Sequence, residues 1–238
     1  MTSALPQLPA QFAQAIKLID HAHAQDPREA KNTGKDKVPH ELHYARQMTS
    51  WLAIRCPEAS PILQVACRAQ HFKRPRRNGK PTKKRWKNYE LITLDMILNR
   101  WEIPRDSFPR TRPGYLTWRA KQKAQAASQV ADLLGAPEIQ PEIAEQDRAR
   151  IAALIRKEKL DSDPEAQALE DVACLVFLGD QFDDFEKRDD VDEEKIVNIL
   201  RKTWGKMSPR GREIALEMKL SDRAKTLIGK ALASADAS

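Results

Sequence analysis

The chain has 238 residues, of which 41% are hydrophobic and 32% charged, with a formal net charge of +7. No apolar run approaches the roughly 20 residues that cross a bilayer, and the opening MTSALPQLPAQFAQ lacks the charged-then-apolar layout of a secretory signal. This argues against a membrane or secreted protein and for a cytoplasmic one, with a core large enough for a single domain.

Apolar residues recur at helical spacing along nearly the whole chain, and no stretch sustains strand alternation. The pattern predicts a helix over Gln7 to Ala24, with Phe12, Ile16, Leu18 and Ile19 buried; His21 and His23 near its end are expected in solvent. The polar loop DPREAKNTGKDKVP follows. A second helix from near His40 carries Leu42, Ala45, Met48, Trp51 and Leu52, and a third runs from about Pro57 to His71 with Ile62, Val65, Ala66 and Ala69 inside. The tight connection CPEAS predicts that these two pack as an antiparallel pair.

Between Arg74 and Asn99 the eight basic residues outnumber Glu90 and Asp95, so this one segment holds +6 of the chain's +7. The remainder is nearly neutral, and the global charge therefore says little about it. Tyr89 to Leu98 reads as a brief apolar helix or a strand, and IPRDSFPRTRPG as a proline-punctuated irregular stretch. Helices are then predicted over Tyr115 to Leu134 and from about Glu142 to Lys159. In EKLDSDPEAQ, Asp163 suits a cap and Pro164 a first-turn position. The next helix, to about Phe185, is apolar nearly all round through LEDVACLVFL and must be central, while DQFDDFEKRDD returns its end to solvent. Short helices over Glu193 to Lys206, Pro209 to Met218 and Arg223 to Ala233 complete the chain before a frayed tail at 234–238. The expectation is an all-α, single compact domain over 7–233. Cys56, Cys67 and Cys174, odd in number and set among apolar neighbours, suit reduced core thiols.

Two adjacent carboxylates, Glu170 and Asp171, enter the central helix and require partners, because an unpaired buried charge is expensive. One solution is an ion pair with an arginine. The other is a meeting with His71, giving an acid/base centre formed by His71, Glu170 and Asp171, or a divalent metal held by His71 and Asp171. His40 and His43 are close enough in the hairpin to join it. The cations Arg68, Arg105, Arg119, Lys206 and Arg210, interleaved with Trp101, Tyr115 and Trp118 for stacking, suit a small phosphorylated or otherwise anionic ligand bearing a flat ring. They equally suit surface ion pairs. Glycine-rich phosphate loops and the Gly-x-Ser-x-Gly elbow are missing from the sequence.

The strings AQH with Arg68 before it, WEIPR, GYLTWR, LDSDPEAQALEDVACLVFL and LRKTWGKMSPRG together resemble the family catalogued as domain of unknown function 4202, over about Phe12 to Leu232. In that family the histidine-ending helix runs almost directly into the tryptophan motif. Residues 74–99 therefore read as a basic insertion, either a native loop or a misprocessed piece of the gene model. Some members carry a glutamyl-tRNA synthetase label, and Lys206-Met207-Ser208 is similar to the Lys-Met-Ser loop of such enzymes. The same residues also fit a helix break with Ser208 as cap and Pro209 in the first turn.

At the level of layout the chain is similar to the HD phosphohydrolases. Helix two carries HYARQM, helix three ends in Gln70-His71 where those enzymes place His-Asp, and LEDVACL lies where they place a ligand aspartate. That resemblance implies an HD-like arrangement, a divalent metal ion and hydrolysis or sensing of a phosphorylated ligand. The basic stretch Lys73 to Lys87 implies the alternative, a non-enzymatic module gripping nucleic acid, with the Lys73 to Arg85 clusters as a nuclear import signal.

Overall fold

A computed structural model describes residues 4–30, 36–70, 72, 103, 105–182 and 192–233. Its helices are α1 (Ala10–His23), α2 (His40–Arg55), α3 (Pro61–Arg68), α4 (Arg112–Leu134), α5 (Glu145–Arg156), α6 (Pro164–Val176), α7 (Glu193–Lys206), α8 (Pro209–Leu216) and α9 (Asp222–Ala233). Among the described residues the only extended pairing is one antiparallel bridge, Glu29 to Pro39. The protein is all-α. The basic segment 74–99, the expected element at Tyr89 to Leu98, and the tail lie outside the described residues.

Local chemistry fixes most helix starts. Ser60, Thr111, Asp163, Asp192 and Ser208 each accept a backbone N–H in the first turn that follows, satisfying a donor the helix itself cannot. Proline stands in the first turn after four of these caps, where its missing N–H costs nothing. The expected Asp163–Pro164 and Ser208–Pro209 starts are both present. With Thr111 as its cap, α4 begins at Arg112, three residues before the expected Tyr115. At the other end of α5, Lys157 takes a left-handed conformation, φ 59°, and stops the helix.

Burial then arranges the elements around α6. Ala166, Ala168, Leu169, Val172, Cys174, Leu175 and Val176 are all buried, as the all-round apolar pattern predicts. Leu169 and Val172 belong to a larger core built with α1 through α5, including Ile19, Met48, Leu52, Leu63, Leu134 and Leu154. Leu175, on the following turn, belongs to a second core with Ile196, Leu200, Ile214 and Leu227 of α7 to α9. Thus α6 is the shaft on which both cores are mounted. Each such side chain contributes on the order of 1.5–3 kcal/mol over its exposed state.

Beyond Val176 the helix widens into a π-helical turn, Phe177–Gln181. Gly179 belongs there for space. A Cβ at that position would sit 2.8 Å from Met218 Cε and 3.5 Å from Trp51 Cζ2.

Leu169 is completely buried. Leu169→Ala is expected to cost about 2–5 kcal/mol, measured by chemical denaturation, because the packed shaft can close only part of the resulting cavity.

Candidate functional site

The loop between α1 and α2 is held by charge. Arg28 donates from Nε to both oxygens of Asp26 at 2.9 and 3.0 Å, and from Nη2 to Asp26 Oδ2 and Glu41 Oε1, each at 2.7 Å. Asp26 Oδ2 also accepts the backbone N–H of Glu41 at 3.1 Å, so Asp26 caps the first turn of α2 from a distance. Asp26 and Glu41 are buried. Burial opposes the charge on Arg28, but the hydrogen bonds and charges of Asp26 and Glu41 outweigh it and hold the guanidinium above its ordinary range.

His23 closes this loop from α1. Contrary to the expected solvated position, it is 2% exposed, because its ring packs edge-on against Phe72 at 5.6 Å and Nε2 donates to the Arg68 carbonyl at 3.1 Å. A carbonyl only accepts, so Nε2 carries the proton. Burial pushes the His23 pKa down to about 4.

Next to this loop, α2 presents His40 and His43. His43 Nε2 lies 2.9 Å from Asp180 Oδ1, which the π-helical turn supplies, and both side chains keep a small solvent-facing surface. His40 is lowered from its ordinary value, by burial first and then by the charge of Arg28, with Asp26 and Asp180 opposing. Its buried Nδ1 has no hydrogen-bond partner among the described residues. Asp26, His40 and Glu41 each place one donor atom within 4.8 Å of the others. Histidines and carboxylates from the α1–α2 loop, the start of α2 and the end of α6 therefore converge.

The two carboxylates singled out in α6 point to different environments. Asp171 is completely buried. It accepts from Gln167 Nε2 (3.0 Å), Ser208 N (2.8 Å), Arg55 Nε (2.6 Å) and Ser208 Oγ (2.5 Å), which uses the four acceptor positions of a carboxylate. Gly211 passes so close that a Cβ there would lie 2.7 Å from Asp171 Cγ. Glu170 instead pairs with Lys157 Nζ and, at 3.5 Å, with Lys206 Nζ. Burial alone would raise its pKa, but the two lysines hold it below the usual carboxylate range.

The expected anion contacts separate. Arg68 grips Asp20 with Nε and Nη2 at 2.6 and 2.7 Å and reaches Thr49 Oγ1 with Nη1, tying α1, α2 and α3. Arg210 is exposed and pairs with Glu213. Lys206 and Lys157 pair with Glu170, and Lys123, one turn beyond Arg119 on α4, feels the charges of Arg119, Glu170 and both of those lysines. Arg105 opens a short 3-10 turn, Arg105–Ser107, but its side chain lies outside the described residues. Trp118 donates to the Ile103 carbonyl at 2.9 Å and stands 5.8 Å from the half-exposed Tyr115. His71, Trp101 and the Lys73 to Lys87 stretch lie outside the described residues, and with them the expected meeting of His71 with Asp171. Ser208 of the Lys-Met-Ser string is the cap of α8 and accepts from Gly211 N at 3.1 Å. Cys67 and Cys174 are buried thiols, their pKa values pushed up by burial, to about 12 for Cys174.

Several of these residues carry little signal in sequence. Asp180 stands in an acidic run, Arg28 and Asp26 in a polar loop, and Lys123 and Lys157 among 41 basic residues. Only the spacing of His40 and His43 at the start of α2 marks this region.

No helix of the described residues is long and apolar enough to cross a membrane. A family model described as Domain of unknown function (DUF4202) matches residues 13–90 and 95–228, so its first stretch takes in most of the basic tract. No curated protein and no solved structure shows a significant match.

Two outcomes are expected. Asp171→Ala leaves the Arg55 guanidinium without its counter-charge and should destabilise by about 3–5 kcal/mol. Ser208→Ala should cost about 1 kcal/mol as a lost cap, and less once Asp171 is already gone, in a denaturation cycle. The second outcome concerns pH. Between pH 6.5 and about 4 the unfolded chain takes up a proton on His23 that the folded protein refuses. Its stabilising contribution is complete above pH 6.5 and is lost as pH falls toward 4, by at most about 3 kcal/mol. His23→Gln keeps a donor for the Arg68 carbonyl and should flatten that part of the stability profile.

Proposed function

The chain belongs to the domain of unknown function 4202 family, and on that premise we propose that it is a helical phosphohydrolase, or a sensor built on the same centre, for a small phosphorylated ligand. One observation carries the reading: His43 Nε2 and Asp180 Oδ1 meet at 2.9 Å beside His40, Asp26, Glu41 and Arg28. Two donor atoms about 3 Å apart have the spacing of neighbouring ligands on an ion held at about 2.1 Å. The residues thus fit a divalent metal in donor type and spacing. Asp26 and Glu41 fit less well, because Arg28 already pairs with both.

In this reading His43 and Asp180 hold the metal, and His71, which lies outside the described residues, is the candidate third donor. A metal there would supply a bound water acidic enough to act as nucleophile near neutral pH. The remaining chemistry belongs to the chain. Arg28 offsets one of the two negative charges of Asp26 and Glu41 and so lessens the repulsion an incoming phosphate would meet. His40, whose lowered pKa favours the neutral ring and whose buried Nδ1 has no hydrogen-bond partner among the described residues, is the chain's candidate proton acceptor. Glu170 and Asp171, the carboxylates first expected at the centre, take supporting parts: Asp171 fixes α2 against α6 and α8, and Glu170 orders lysines.

The test is metal content and phosphate release on a panel of phosphomonoesters and nucleotides. Wild-type protein is expected to retain divalent metal, and His43→Ala, His71→Ala and Asp180→Asn to lose it, with activity falling about 100-fold or more while circular dichroism is unchanged. Metal-free, inactive wild-type protein that binds no phosphorylated compound would overturn the reading.

A further inference from the structure

A second cluster lies farther back along α6. Glu170 precedes Asp180 by ten residues, which at the rise of a helix is roughly 15 Å along the axis. Around Glu170, which is 5% exposed, gather Lys157 from the end of α5 and Lys206 from the end of α7. The helix α4 packs along α5, which Lys157 ends, and its Arg119 and Lys123 stand one turn apart on one face, with Lys123 within reach of the charges of Lys157, Glu170 and Lys206. Lys123 thus meets the charges of Arg119, Lys157 and Lys206 with Glu170 alone opposing, so four cations stand against one carboxylate, an excess of three positive charges.

Helix ends explain only half of this. Lys157 and Lys206 sit at the C-termini of α5 and α7, where the helix dipole favours a cation. Arg119 and Lys123 are in the middle of α4, where no such field exists. Among the described residues neither makes an ion pair or a side-chain hydrogen bond. Lys123 is partly buried, and its pKa is lowered by that burial first and then by the positive charges of Lys157 and Arg119, with Glu170 opposing and Lys206 adding to the lowering. Unbalanced charge held partly out of water is costly unless an anion completes it. Lys157 enters its left-handed conformation, unusual for a residue with a side chain, while its ammonium is tied to Glu170. Glu170 thus engages Lys157 and Lys206, while Arg119 and Lys123 make no ion pair or side-chain hydrogen bond among the described residues.

We propose that Arg119, Lys123, Lys157 and Lys206 form a phosphate-binding site, separate from the His43–Asp180 centre, that takes a phosphoryl or diphosphoryl group. The guanidinium supplies a fork matched to two phosphate oxygens, and the ammonium groups supply point charges beside it. The site stands whether or not the histidine centre hydrolyses anything.

Inorganic pyrophosphate is the probe, titrated calorimetrically into the full chain at low salt. The wild type is expected to bind, with affinity falling as salt rises. Arg119→Gln/Lys123→Met should weaken binding tenfold or more, and the same loss is expected when the pair is introduced into a His43→Ala background, where the histidine centre no longer contributes. Glu170→Gln, which removes the competing carboxylate, should bind at least as well as wild type. A second readout needs no variant: Lys123 should be among the fastest lysines to react with acetic anhydride near pH 8, and pyrophosphate should protect it. Absence of wild-type binding at millimolar pyrophosphate, equal binding by every variant, or loss in His43→Ala with retention in the α4 double variant would each overturn the proposal.

Discussion

The structure depends on satisfying one buried charge. Asp171 has no contact with water, and moving a carboxylate into such a place costs several kcal/mol before any compensation. Its compensation comes from three elements: Arg55 at the end of α2, Gln167 one turn earlier in α6, and the backbone and hydroxyl of Ser208 where α8 begins. Because every acceptor position is used, α2, α6 and α8 can meet in few other ways. Gly211 reinforces this, since any side chain there would collide with the carboxylate.

A second tie between α2 and α6 follows from that geometry. Going from Arg55 back to His43 covers twelve residues of α2, roughly 18 Å, while going from Asp171 forward to Asp180 covers nine residues, roughly 13 Å. The pairs run in opposite directions, as antiparallel helices require. Arg55–Asp171 closes one end of the helix pair and His43–Asp180 the other. The difference between them is chemical. The first is dry and saturated; the second uses an imidazole, keeps some contact with solvent, and sits where the helix has widened into a π turn, a feature often found at functional sites.

Much of this frame was legible in the residues. The helical periodicity, the all-round apolar character of α6, and the caps at Asp163 and Ser208 are local signals, and local physics delivers them. That Asp171 would pair with an arginine was also readable as one of two solutions, from the cost of leaving it alone. Which arginine was not readable, because Arg55 lies 116 residues away and nothing near it in sequence distinguishes it from other arginines. The same holds for His23, whose burial depends on Phe72 and the Arg68 carbonyl, both contributed from the far end of α3. Asp180 was concealed differently: in DQFDDF it looks like one acid in a solvated run, and nothing in that run marks its 2.9 Å approach to His43 of α2.

The adjacency of Glu170 and Asp171 shows how little sequence proximity constrains chemistry. Consecutive helical residues point about 100° apart, so one carboxylate enters the seam between α2 and α8 while its neighbour turns toward the lysines of α5 and α7. The seam demands a group that is permanently partnered, and such a group has no lone pair left for a substrate or a metal. The lysine side demands the reverse, since one carboxylate cannot balance four cations and the arrangement gains stability from any further anion that enters. The same helix therefore carries, within one turn, a residue committed to the fold and a residue that organises charge for something outside it.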